Sequence, residues 1–582
     1  MKKQKRQLQR KGMAVILTAA LLAALLTGCG SAEEGASKEA PAYEAPAAAA
    51  EEPESGASAE EYEYDPGAPA EDSIAKEPEY NVQGKAEAED GAAGSMTNGV
   101  MADSDYDEMP EYGTLNGGEE YEKAEENGFC ITAVQPLSTF SADVDTASYA
   151  NIRRMIEDGY TLDDINPDAV RAEEFINYFS YDLKLPKRGE MFGITTEIAP
   201  CPWNKDHHLM MVGMRTEAID MSEAPDSNLV FLLDVSGSMS DDDKLPLLQD
   251  SFKELVNELD ERDTVSIVTY ASGVETVLKG ARGDEKEKIY SAIDSLYASG
   301  GTNGEGGIQR AYQLAEANFI KGGNNRIILA TDGDLNIGIS DADELEKLVE
   351  QKRESGVYLS VLGFGTGNIK DNKMERLADC GNGNYAYIDS LFEARKVLVE
   401  EMGSTLLTIA EDVKLQVEFN PGTVNAYRLI GYENRMLEAR DFHDDTKDAG
   451  EIGAGHTVVA LYEIIPVGSR DEISLKYQSS GGGNSDSRYS DEFATVGIRY
   501  KKPGKSRSEL DSYVVDEDDF SKNPSDDFVF ASLAAEFAMI LSDSPNKGDA
   551  TLEGIMETYS TLDMDDEYKD EFYYLVKMMA KR

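Results

Sequence analysis

Five oxygen-bearing side chains, spread over three short segments, have the types and spacing to hold a hard metal ion. Asp234-Val235-Ser236-Gly237-Ser238 puts one carboxylate and two hydroxyls within five residues. Thr302 stands in Ser299-Gly300-Gly301-Thr302-Asn303, and Asp332 in Ala330-Thr331-Asp332-Gly333-Asp334. Three hydroxyls and two carboxylates, some acting through water, suit Mg²⁺, which takes about six oxygens in near-octahedral geometry. Mn²⁺ and Ca²⁺ are the alternatives such a donor set admits. Few of these ligands would carry direct charge, so the ion stays electrophilic and its open position can take a carboxylate oxygen from elsewhere. Gly237 lets the backbone turn tightly enough for both serines to face one ion.

The elements that must position these residues are legible in the hydrophobic pattern. Between 227 and 405, short apolar runs (228–233, 265–270, 274–278, 326–330, 357–364, 385–388) alternate with amphipathic stretches (243–259, 285–297, 304–319, 342–355, 373–379, 391–406). Continuous apolar strands between helices predict an α/β fold with a mostly parallel sheet covered on both faces. All three motif segments then fall at carboxyl ends of strands, the edge where open α/β sheets bind ligands. Asp-x-Ser-x-Ser, a distant Thr and Thr-Asp-Gly, in this order and on these elements, resemble the metal-ion-dependent adhesion site of von Willebrand factor A domains. The resemblance implies a doubly wound sheet with one antiparallel edge strand, which the 265–270/274–278 pair fits. It also implies that Ser236, Ser238 and Thr302 are direct ligands, with Asp234 and Asp332 acting largely through water.

The flanks change character. Residues 129–225 read as helices at 146–158 and 167–179 followed by alternating strands at 192–198 and 208–215. Period two returns in the β-rich 409–510 region, in Val413, Leu415, Val417 and Phe419, then at 458–464 and 494–500. The final 511–582 stretch reads as helices. Neither set of strands closes alone, so the central region (226–408) is expected to be inserted in a β-sandwich. The runs Pro136-Leu137-Ser138-Thr139-Phe140-Ser141-Ala142-Asp143-Val144-Asp145-Thr146-Ala147-Ser148-Tyr149 and Arg171-Ala172-Glu173-Glu174-Phe175-Ile176-Asn177-Tyr178-Phe179 resemble the amino-terminal module of YfbK-like bacterial lipoproteins, which join such a module, an A domain and a carboxyl-terminal region in this order.

The first residues carry an address. Six basic side chains in positions 2–11 precede an apolar run from Met13 to Leu26, and Leu26-Thr27-Gly28-Cys29 follows. This resembles a bacterial lipobox, with cleavage after 28 and diacylglycerol on Cys29. Between 31 and 128 there are 28 acidic against 4 basic residues, in a stretch rich in Ala, Gly, Ser and Pro. Such a segment cannot bury enough apolar surface to offset chain entropy, so 29–128 is expected to be a disordered tether with order beginning near Phe129. The whole chain of 582 residues has 112 Asp and Glu against 55 Lys and Arg, a net charge of -57, which argues against nucleic acid as a partner. Cys130, Cys201 and Cys380 allow at most one internal disulfide and have no zinc-ligand spacing. His207-His208 reads as a surface pair.

Other motifs fall short. Gly363-Phe364-Gly365-Thr366-Gly367-Asn368 has Asn where a dinucleotide loop needs its last Gly, and reads as a strand-to-helix turn. Arg282-Gly283-Asp284 reads as a turn before a helix. Asp441, His443, Asp444 and Asp445 read as an acidic loop. Ser236 and Ser238 lack a nucleophile elbow and a histidine placed by motif. The expectation is therefore a membrane-anchored, extracytoplasmic, non-enzymatic protein whose Mg²⁺ site binds an Asp or Glu of a protein partner. The competing expectation is a structural envelope protein with an A-domain scaffold and a vestigial site.

Overall fold

The computed structural model describes residues 119–123, 125–142, 145–219, 224–333, 342–367, 369–473 and 489–582. The signal segment, Cys29 and most of the expected tether lie outside the described residues. In chain order the strands are Cys130–Ile131 (β1), Leu137–Ser141 (β2), Phe192–Pro200 (β3), His208–Thr216 (β4), Ser227–Asp234 (β5), Thr264–Tyr270 (β6), Val274–Arg282 (β7), Asn324–Thr331 (β8), Tyr358–Phe364 (β9), Tyr385–Ile388 (β10), Thr408–Phe419 (β11), Val424–Ile430 (β12), Gly450–Gly453 (β13), Thr457–Pro466 (β14), Glu492–Lys501 (β15) and Glu509–Asp516 (β16).

The central sheet runs β10-β9-β8-β5-β6-β7. Its neighbours are parallel except β6 and β7, the antiparallel edge pair. Period two decides which core each side chain enters. On β5, Leu229, Phe231 and Leu233 pack with Leu248, Phe252 and Leu255 of the helix Leu245–Glu258. Val230 and Leu232 face the other way, onto Ile308, Ala311 and Tyr312 of the helix Gly304–Ala317. A strand buried on both faces has no polar alternation to display, which is why β5 reads as a continuous apolar run.

The remaining strands form two further sheets, β1-β12-β14-β4-β3 and β13-β11-β15-β16, the second extended by β2 on β11. They close on one core, with Met210, Val212 and Met214 of β4 against Val413, Leu415 and Val417 of β11 and Val496 and Ile498 of β15. The first sheet turns its other face, through Leu209, Met211, Val459 and Leu461, to helices Ala172–Asn177, Asp526–Leu541, Leu552–Tyr559 and Glu567–Met579. Helix Asp526–Leu541 is apolar nearly all round because it lies in the middle of that layer. The expected insertion is visible in the register: β4 precedes the central sheet in sequence and β14 follows it, yet Arg215 pairs with Thr457 and His208 with Ile464.

Several expectations need correction. Described chain begins at Glu119, ten residues inside the expected tether. This strap is held because its carboxylates meet buried arginines: Glu119 Oε1 lies 3.1 Å from Arg154, and Glu126 Oε1 lies 2.7 Å from Arg428. The stretch expected as one helix at 167–179 is a short turn at Pro167–Ala169 and a helix at Ala172–Asn177. Strand β16 occupies the start of the region read as helical; its alternation is spoiled because Glu509 and Asp511 stand on the side of the buried Val515 while Leu510 and Val514 are exposed. His207 is buried, not superficial, with Nδ1 at 2.5 Å from Glu463. Cys130, Cys201 and Cys380 are free thiols. Among the described residues no helix is long and apolar enough to cross a membrane.

Buried ion pairs join the central region to its flanks. Arg153 of the helix Ala147–Glu157 reaches Asp389 at 2.6 Å and Glu393 at 2.8 Å. Arg171 reaches Asp371 at 3.1 Å and Glu375 at 2.6 Å, and Arg435 reaches Glu375 at 2.9 Å and Asp379 at 2.6 Å. These carboxylates sit on the helix Asp371–Cys380 and at the start of the helix Leu391–Arg395.

Candidate metal centre

The parallel pairing of β5 with β6 and β8 brings Asp234, Tyr270 and Thr331 to one sheet edge, with Asp332 following directly. Asp234 is fully buried. Its Oδ1 accepts the Ser236 amide at 2.8 Å, and its Oδ2 accepts the Thr331 hydroxyl at 3.2 Å. The first of these bonds folds the loop back so that the two serine hydroxyls converge, 3.0 Å apart. A third segment is pinned onto this loop. Ser299 N–H donates to the Val235 carbonyl at 2.8 Å, and Gly237 N–H donates to the Gly300 carbonyl at 3.0 Å. Thr302, half-buried, follows two residues on, just ahead of the helix that Asn303 caps by accepting the Gly306 amide. Gly300 has φ +81°, and a Cβ there would stand 2.6 Å from the Ser272 hydroxyl, so the approach requires glycine.

The electrostatics of this edge are set by two buried carboxylates, Asp234 and Asp332. Burial pushes the Asp234 carboxyl up to about 6; the Ser236 amide and hydroxyl pull it back, and the Asp332 charge adds to the rise. Burial also holds the Tyr270 hydroxyl, beside Asp234, well above its usual range. Asp332 is fully buried and its Oδ2 accepts from Lys244 Nζ at 3.0 Å. The donors fit a hard divalent ion. All are oxygens, and two adjacent ligands of an octahedral ion at about 2.1 Å must stand about 3 Å apart, as the serine hydroxyls do.

The expected set is thus brought together, Asp234, Ser236, Ser238 and Asp332 around one loop and Thr302 on the loop pinned to it. Lys244 is the residue that sequence reasoning missed; a lysine after Asp241-Asp242-Asp243 gives no sign of folding back to a carboxylate 88 positions away. Asp445 is held by Arg499 at 3.0 Å and Ser508 at 2.6 Å, and Asp444 by Thr446. Arg282 closes on Asp284 at 2.7 Å in a turn ahead of the helix Lys286–Asp294. In the glycine motif at 363–368, Asn368 lies outside the described residues and Gly365 lies against the Lys244 stem. All four histidines, at 207, 208, 443 and 456, lie outside 226–408, so neither serine has an imidazole base within the α/β region. Among the described residues no three His, Cys, Asp or Glu form another metal cluster.

A doubly wound sheet with one antiparallel edge and this donor set at its carboxyl edge define a von Willebrand factor type A domain. Residues 228–401 match the family described as von Willebrand factor type A domain, residues 115–211 match one described as von Willebrand factor, and residues 404–581 match "Uncharacterized protein YfbK, C-terminal". The chain belongs to the YfbK family: it is 41% identical over 471 residues to "Uncharacterized protein YfbK" of Escherichia coli (strain K12), covering 79% of this chain and 81% of that one. Human inter-alpha-trypsin inhibitor heavy chain H4 is 26% identical over 234 residues, 38% of this chain and 25% of that one. The solved structure "von Willebrand factor type A from Catenulispora acidiphila" superposes with a TM-score of 0.38 at 13% identity, over 69% of this chain and 91% of that one.

Proposed function

We propose that this chain is an extracytoplasmic protein, anchored through a lipid on Cys29, whose A domain captures a protein partner at a Mg²⁺ ion held by Asp234, Ser236, Ser238, Thr302 and Asp332. One observation carries the reading. Two hydroxyls 3.0 Å apart converge with two fully buried carboxylates at the sheet edge, with no histidine base beside them. That arrangement suits holding a cation rather than making a nucleophile. A bound Mg²⁺ supplies an electrophilic position for an Asp or Glu carboxylate of the partner. The chain's own part is positional: Thr331 and the Ser236 amide fix Asp234, and the Gly237–Gly300 bond fixes the Thr302 loop.

A second reading, a structural envelope protein with an idle site, is favoured by the Lys244 ammonium on Asp332. Magnesium separates the two. Envelope proteins retained by the immobilised chain in Mg²⁺ are expected to be lost in chelator and in Asp332→Ala. An identical retained set under all three conditions would leave the scaffold reading standing.

A further inference from the structure

Lys244 is an ammonium where the fold has gone to some trouble to place one. The side chain is buried, although it opens the helix Leu245–Glu258 directly after Asp241, Asp242 and Asp243, of which the first two are exposed. Its stem crosses Gly365, whose φ is +74° and whose added Cβ would stand 2.3 Å from Lys244 Cγ and 2.4 Å from Cε. Any other residue at 365 would close that channel. The chain ends with Nζ 3.0 Å from Oδ2 of the fully buried Asp332. Ammonium groups enter protein interiors only where a partner offsets the loss of hydration. Here the partner is a carboxylate of the candidate metal centre, and the pair is shielded from salt by burial.

We propose that Lys244 is the resident counter-cation of this centre: it balances the Asp234–Asp332 charge when no metal is bound and, by repelling a divalent ion that needs the same carboxylate, sets the site's affinity low. This rests on the reading of Asp234, Ser236, Ser238, Thr302 and Asp332 as a metal centre. The metal-free domain is then a defined folded state and not a collapsed one. Like charges sharing one carboxylate in a poorly solvated site are weakly screened, so the ion is held loosely by the chain alone. A carboxylate from outside restores the missing negative charge. Metal and partner are thereby retained together, while neither needs to be retained alone.

The test uses the full chain and Mg²⁺ alone, by calorimetric titration and by thermal denaturation with and without chelator. Lys244→Met keeps a stem to lie over Gly365 and removes the charge; Lys244→Gln is the companion should the first fail to fold. Either is expected to bind Mg²⁺ at least tenfold more tightly than wild type, which is about 1.4 kcal/mol, and to melt lower in chelator. Asp332→Ala in the Lys244→Met background is expected to abolish that binding. Equal or weaker Mg²⁺ binding by both variants, with wild type binding measurably, overturns the counter-cation and leaves the metal centre intact. Silence toward Mg²⁺ and Mn²⁺ in wild type and both variants overturns the centre itself, and this proposal with it.

Discussion

Removing donors one at a time separates ligands from residues that merely shape the loop. Ser236→Ala takes away a hydroxyl and leaves the amide that holds Asp234. Wild type at 100 times the dissociation constant of Mg²⁺ gains about 2.7 kcal/mol by mass action. Ser236→Ala and Asp332→Ala are each expected to lose the corresponding rise in melting temperature; a variant that keeps it still binds the ion, and the residue it lacks is not a ligand. A second residue-scale test lies in the helical layer. Burial alone pushes the Glu536 carboxyl up to about 7 from a usual value near 4.5. The folded state therefore holds a proton that the unfolded chain releases above about pH 4.5. That contribution is fully present below pH 4.5 and is lost as pH rises through 7. Glu536→Gln is expected to leave stability at pH 4.5 nearly unchanged and to raise it by up to about 3 kcal/mol at pH 8, read from denaturant unfolding at the two pH values. Equal effects at both would show that packing, not charge, is what the substitution changes. The candidate ligands were legible as a group because a motif keeps its spacing in sequence. Lys244 and Glu536 were not, because their roles depend on Gly365, Asp332 and a helical layer assembled from distant segments.

The strands of the central sheet were equally plain, since β5, β8 and β9 are apolar on both faces and flanked by helices. The strands that escaped notice carry charge into the sheet. Strand β12 includes Arg428, buried between Glu126 and Glu463, and β16 puts Glu509 and Asp511 on the side of the buried Val515. The continuous helix expected at 391–406 also has a break that no periodicity announces: a wider turn at Lys396–Glu400 joins Leu391–Arg395 to Met402–Leu406. One element bears directly on the metal loop. Helix Gly304–Ala317 approaches the sheet closely at Gly307, where a Cβ would lie 3.1 Å from Tyr270 and 3.2 Å from Leu232. Gly307→Val must push this helix outward, and Thr302 precedes its first turn. The substitution is expected to cost about 1–3 kcal/mol by overpacking and to weaken Mg²⁺ binding at least tenfold, by titration. Stability lost with affinity intact would show that the loop is held by the Ser299 and Gly300 bonds independently of the helix.

At the scale of the whole molecule the insertion was foreshadowed by two period-two regions that do not close alone. The ionic seams that fasten the inserted domain were invisible, since Arg153, Arg171 and Arg435 find their carboxylates only after folding. Removing one partner of a buried pair strands the other, at a cost of about 3–5 kcal/mol. Arg171→Ala is therefore expected to lower the denaturation midpoint of the whole chain, with central and flanking regions unfolding in one transition. Two separated transitions in wild type would show the seams to be weak. The amino-terminal strap adds a consequence of a different kind. Glu119 accepts the Gly367 amide at 3.2 Å, and the Glu120 amide donates to the Ile369 carbonyl at 3.0 Å. Further along, Tyr121 is tied to Asn151 and Glu126 to Arg428. A pull arriving along the chain from ahead of residue 119 is met stitch by stitch, and its first stitches are to Gly367 and Ile369, close in sequence to the Gly365 that seats Lys244. Among the described residues, force applied at the amino-terminal end of the strap would load these contacts before those at Asn151 and Arg428, so the strap behaves as a ripcord whose first tug falls close to the glycine that seats Lys244.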